Sequence, residues 1–77
     1  MRVKVLIFGQ LTDITGLSEI HLDNVTDRDE LIKKLNQQYP GLEDSKYAIA
    51  VNNKVVNQNT PLTDSSIIAL LPPFSGG

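Results

Sequence analysis

One stretch of this 77-residue chain carries a helical apolar repeat, and that limits the available folds more than any other feature. Between Thr26 and Gly41, Leu31, Ile32, Leu35 and Tyr39 recur at helical spacing and form one apolar stripe. Thr26 is the expected N-cap, and Asp27, Asp29 and Glu30 suit the positive end of the helix dipole. Pro40-Gly41 is the expected stop. The other apolar residues fall in short runs that read as strands: Arg2 to Phe8, Leu17 to Leu22, Tyr47 to Val51, Lys54 to Val56 and Ile67 to Leu71. Gln10 to Gly16 is a turn region with a helical turn at Leu11-Thr12-Asp13-Ile14, and Asn57 to Ser66 is a polar loop. Asn52-Asn53 joins two of the strands, and asparagine tolerates the positive φ of a tight hairpin. One stripe covers one face of a sheet. The expectation is an α+β domain, a mixed sheet of about five strands with one main helix across one face.

Strand alternation sharpens this picture. Val3, Val5 and Ile7 share one face of the first strand, with Lys4, Leu6 and Phe8 on the other. In the last strand Ile68 and Leu70 oppose Ile67, Ala69 and Leu71. A sheet covered by one helix should be polar on its far side, yet both faces here carry apolar residues. Central strands can simply be hydrophobic, or Leu11 and Ile14 can fold over that side, or it is an exposed patch for a partner.

Composition removes several classes of chemistry. Apolar residues make up 40% of the chain, an ordinary globular fraction. The net charge of −2 and the lack of a Lys/Arg cluster argue against nucleic acid as a partner. There is no cysteine, so disulfides, thiolate-ligated zinc and thiol nucleophiles are excluded together. No apolar run reaches membrane-spanning length, and Val5 to Phe8 is too short for the core of a signal peptide. A membrane is not an expected partner; the expected location is cytoplasmic.

The polar residues point to no metal or acid–base site. His21 is the one histidine, with no second ligand spaced to converge on it, and reads as an exposed strand residue. Helix capping accounts for Asp27, Asp29 and Glu30, and turns account for Asp13, Asp23 and Asp64.

The last residues are the most informative. Residues 1–71 are expected to form the domain and residues 72–77 a flexible tail ending in Gly-Gly. Pro72 and Pro73 cannot donate to a ladder, so the sheet should end there. Six extended residues at ~3.1 Å each reach roughly 19 Å beyond it. Gly76 and Gly77 lack Cβ and can thread a narrow channel. Gly-Gly by itself also describes an ordinary frayed end.

Joined to the rest of the chain, the tail says more. Leu70-Leu71-Pro72-Pro73-Phe74-Ser75-Gly76-Gly77 follows Val3-Lys4-Val5-Leu6-Ile7-Phe8-Gly9, Thr15-Gly16, Ala50-Val51-Asn52 and Pro61-Leu62-Thr63-Asp64. In order and spacing, over nearly the whole chain, these segments resemble the small, sulfur-carrying subunits of molybdopterin synthase, which are ubiquitin-like β-grasp proteins. The resemblance implies that the first and last strands lie side by side and parallel in mid-sheet. It implies that an activating partner uses ATP and Mg²⁺ to adenylate the carboxyl group of Gly77. A sulfur donor then converts Gly77 to a thiocarboxylate, which passes its sulfur to cyclic pyranopterin monophosphate in the large subunit. On that reading the chain binds no cofactor and is not catalytic alone. Gly76, Ser75 and Phe74 form the inserted tail, and Phe8, Val55 and Leu71 dock on the large subunit in a heterotetramer of two small and two large chains. Three alternatives stay open: the sulfur carrier of thiamine biosynthesis, a ubiquitin-like protein modifier, and a non-catalytic β-grasp binding module.

Overall fold

The computed structural model of the chain describes residues 2–64 and 66–72. Its elements are β1 (Arg2–Ile7), α1 (Leu11–Thr15), β2 (Glu19–Asp23), α2 (Arg28–Gln38), a 3₁₀ turn (Pro40–Leu42), β3 (Ala48–Val51), β4 (Lys54–Val56) and β5 (Ile67–Leu71). The five strands form one sheet in the order β2-β1-β5-β3-β4. β1 and β5 are parallel at its centre, and the other pairs are antiparallel. This is the α+β, β-grasp arrangement expected from the sequence.

The core lies on one side of the sheet. Val3, Val5 and Ile7 of β1, Ile20 and Leu22 of β2, and Ile68 and Leu70 of β5 are buried beneath Leu31 and Leu35 of α2. Ile32 and Tyr39 pack on the margin of this cluster, half-buried. Each full burial of such a side chain is worth about 1.5–3 kcal/mol relative to exposure. Leu11 belongs to the same cluster and Ile14 packs against it. Neither therefore covers the far face, which answers the question left open by strand alternation.

The helix begins one residue later than expected. Asp27, not Thr26, is the N-cap of α2: its backbone is extended, and its Oδ1 accepts from the Glu30 N–H at 2.9 Å. The Thr26 carbonyl is instead engaged by the Leu62 N–H at 2.9 Å. The Arg28 N–H donates to the Thr60 carbonyl, and the Asp29 N–H to Asn59 Oδ1, both at 2.9 Å. The polar loop thus holds the start of α2, which explains how a long non-regular segment stays ordered. Competition for the free N–H groups of the first turn selected Asp27 as the cap.

Four strand boundaries also differ, two of them at the ends: β1 stops at Ile7, not Phe8, and β2 at Asp23, not Leu22. β2 starts at Glu19, not Leu17. The Thr15 hydroxyl donates to the Leu17 carbonyl and accepts from the Leu17 N–H, which keeps Leu17 in the turn and exposed. β3 starts at Ala48, one residue after the expected Tyr47. Asn52 and Asn53 both have positive φ, 50° and 71°, as a two-residue hairpin twisted with its strands requires. Asn52 also accepts from the Ile67 N–H through its side chain and donates its own N–H to the Ile67 carbonyl, both at 2.9 Å. The hairpin is therefore tied to the first residue of β5.

Candidate functional site: the outer face of the sheet and the stem of the tail

The sheet face turned away from α2 is set by register. Leu6 pairs with Ala69, Ala69 with Ala50, and Ala50 with Val55, so four strands present one continuous apolar row. Ile67 lies on one side of that row, level with Lys4. Leu71, level with Ala48, lies on the other. The two alanines sit on the central strands and rise least from the sheet. Larger side chains stand around them, leaving a groove of about 280 Å³ lined chiefly by Leu6, Phe8, Ala50, Val55, Ile67 and Leu71.

Apart from the buried Ala50, these side chains are not core residues. Phe8 is 45% exposed, Ile67 48% and Val55 53%, and Leu71 is half-buried. Contiguous exposed apolar surface of this kind is a candidate interaction site. Toward β2 the surface becomes ionic: Arg2 pairs with Asp23 at 3.7 Å, and the exposed His21 lies 3.5 Å from Glu19. Among the described residues no group of three or more His, Cys, Asp or Glu side chains converges as a metal site.

The groove opens where the chain leaves the sheet. Leu71 lines it, and the Phe8 N–H donates to the Leu70 carbonyl at 3.2 Å, extending the β1–β5 pairing past Ile7. Pro72 then packs on Gly9, whose φ of +60° is open to glycine at little cost. The expected tail residues Phe74, Ser75, Gly76 and Gly77 lie outside the described residues. Phe8, just past the end of β1, Val55 of β4 and Leu71 of β5, expected at a partner interface, line this one surface together. Ala50 and Asn53 complete the lining and were not anticipated, because their place depends on the register of β3 with β4 and β5. Leu6, Ile67 and Ala69 were legible as outward-facing from alternation alone.

Residues 5–77 match the ThiS family. The chain belongs to that family. The molybdopterin synthase sulfur carrier subunit of Mycobacterium tuberculosis is 34% identical to it, with 100% of this chain and 99% of that protein aligned. Among solved structures, a chain from the complex of subunits 1 and 2 of molybdopterin-converting factor of Helicobacter pylori is 35% identical. It superposes with a TM-score of 0.77 over 100% of both chains. The small archaeal modifier protein 1 of Methanosarcina acetivorans is 27% identical, with a TM-score of 0.84 over 99% of this chain and 96% of that one. The likeness to the ThiS family thus covers nearly the whole sequence.

Proposed function

We propose that this chain is the sulfur carrier subunit of molybdopterin synthase and that the carboxyl group of Gly77 is its working group. The observation that carries this reading is the end-to-end likeness to a sulfur carrier subunit of that enzyme. The structure adds an apolar groove at the stem of the tail, placed so that docking on the outer face would bring the following residues to the same partner.

A carboxylate accepts a nucleophile poorly because its oxygen is a bad leaving group. Adenylation by a partner, using ATP and Mg²⁺, forms an acyl-adenylate on Gly77 and releases pyrophosphate. A sulfur donor displaces AMP and leaves a thiocarboxylate, a soft nucleophile that takes the place of a cysteine thiol the chain does not have. Inside the large subunit this sulfur is passed to cyclic pyranopterin monophosphate, and two deliveries complete a dithiolene. The carrier contributes sulfur and docking surface; acid–base groups and substrate contacts belong to the large subunit. The work is cytoplasmic, in keeping with the absence of any membrane-length apolar helix among the described residues.

Likeness to an archaeal modifier protein supports a second reading, in which a lysine amine rather than a sulfur donor captures the same activated carboxyl. One experiment separates the two. The chain is incubated with an activating enzyme, ATP and a sulfur donor, and its intact mass is recorded. It is then supplied to a molybdopterin synthase large subunit with cyclic pyranopterin monophosphate. The expected result is replacement of one oxygen by sulfur at Gly77, followed by conversion of the pterin. Adducts on lysines without sulfur incorporation would favour the modifier, and efficient thiazole formation would favour thiamine biosynthesis. The unreacted mass also reports that the Gly77 carboxyl is free, which the reading requires. Deleting Gly77, or adding one residue after it, should abolish transfer with no change in melting temperature.

A further inference from the structure

The end of β1 meets the stem of the tail at Gly9, and a short run of contacts leads there from the core. Leu11 is fully buried and anchors α1. Thr12, the next residue, clamps the Gly9 carbonyl twice: its N–H donates at 3.2 Å and its hydroxyl at 2.8 Å. Gly9 is thereby held with its backbone in the left-handed region. On the other side, the Phe8 N–H bonded to the Leu70 carbonyl fixes β5 two residues before Pro72.

Pro72 occupies the space that a side chain at Gly9 would fill. Three of its ring carbons, Cβ, Cγ and Cδ, lie within 4 Å of the point where a Cβ on Gly9 would stand. The ring fixes the φ of the backbone that carries it, so seating the ring also aims the chain that follows. Gly16 supplies the contrast. It too has positive φ, but nothing lies within 4 Å of its added Cβ. Backbone conformation accounts for the glycine at 16, whereas at position 9 the missing side chain has a second use.

We propose that Gly9, clamped by Thr12, is a positioning residue for sulfur transfer: it seats Pro72 so that the tail leaves the docking face at one angle. The inference rests on Gly77 as the working group and says how that group is aimed. Gly77 lies five residues beyond Pro72. Drawn out by a partner, five residues cover about 16 Å, and a swing of about 10° at the stem would then move the far end by about 3 Å. A misplacement of even about 1 Å can slow a reaction about a hundredfold. Gly9 and Thr12 act through Pro72 and touch no reacting atom. Docking uses the apolar side chains of the outer face, so aim and affinity should separate.

The test uses the full chain, thiocarboxylated, with a molybdopterin synthase large subunit and cyclic pyranopterin monophosphate. Calorimetric titration gives the dissociation constant. Single-turnover transfer is timed with the large subunit saturating, well below the melting temperature of every variant. Pro72→Ala and Gly9→Ala should each lower the saturated rate at least about tenfold while the dissociation constant stays within about threefold. The double variant should be no slower than the slower single one, since either change alone undoes the seat. Thr12→Val should lower the rate at least about threefold, and Thr12→Ser should bring it back to within about twofold, because serine keeps the hydroxyl donor. Gly16→Ala should leave the rate unchanged. Pro72→Ala and the two Thr12 variants carry the test if Gly9→Ala does not fold. Losses confined to the dissociation constant, or additive losses in the double variant, would overturn the proposal. So would conversion of the pterin at one rate by the wild type and every variant, which would leave the functional reading standing. Failure of the wild type to convert it would sink that reading and this inference together.

Discussion

Pro72 rests directly on Gly9: a Cβ added to Gly9 would stand 2.9 Å from Pro72 Cγ, closer than carbon atoms pack. The end of β1 and the stem of the tail are thereby fixed against each other, and the chain leaves the sheet in a direction set by this contact. Gly9→Ala should suffer twice, from a left-handed backbone costing about 1–2 kcal/mol and from the collision with the proline ring. Gly16→Ala is the natural control, since Gly16 also has positive φ but nothing lies within 4 Å of its added Cβ. Thermal melts should rank wild type above Gly16→Ala above Gly9→Ala, and the gap between the two variants measures the proline contact. Equal melting temperatures for the variants would show that Pro72 yields freely.

Charge on the outer face should separate binding from folding. Phe8→Lys and Val55→Lys introduce a cation at side chains that are about half exposed, so stability should change by no more than about 0.5 kcal/mol. Binding to a molybdopterin synthase large subunit should fall by at least about 2 kcal/mol, as for a charge at the centre of an apolar contact. Leu71→Lys should show the same loss of binding with a larger drop in melting temperature, because Leu71 is half-buried. Calorimetric titration and melts on the same samples check both halves.

Helix capping offers a sharp comparison between neighbours. Asp27→Ala removes the acceptor for the Glu30 N–H and should cost about 1 kcal/mol. Thr26 engages its surroundings through its backbone carbonyl, so Thr26→Ala should cost much less. Urea denaturation of the two variants decides between them, and the reverse ranking would restore Thr26 as the cap.

Alkaline titration should expose Tyr47. Burial raises its hydroxyl above the ordinary 10.0, against the lesser pull of Arg28, so the folded chain holds that proton more tightly than the unfolded chain does. The stability linked to neutral Tyr47 is fully present below about pH 10 and lost as pH rises through the folded-state value. Denaturation midpoints for the wild type should fall over that range more steeply than those of Tyr47→Phe. Parallel curves would mean that the phenol ionises equally in both states.

Much of this architecture was legible in the chain itself. The Leu31–Leu35 stripe and the alternation in β1, β2 and β5 name the buried face correctly, because both periodicities follow from local backbone geometry. What was not legible depended on distant partners. Leu42 in the 3₁₀ turn, Val25 and Leu62 are fully buried or nearly so, yet they stand outside any periodic run. The cap moved from Thr26 to Asp27 because the loop around Thr60 and Leu62 takes hydrogen bonds at that end of the helix. Ala50 joined the outer groove through strand register, which no alternation within β3 could supply.

The placement of β5 between β1 and β3 has a consequence for how the protein is made. Without β5 the sheet falls into two hairpins, β2-β1 and β3-β4, with no strand pairing between them. Two-stranded ribbons are marginal in water, so a nascent chain has little to stand on until residues near 70 clear the ribosome. The keystone strand also contributes to both faces of the sheet. Completion of the core and of the outer apolar face is therefore a single late event in synthesis, because Ile68 and Leu70 of β5 fill the one while Ile67, Ala69 and Leu71 line the other.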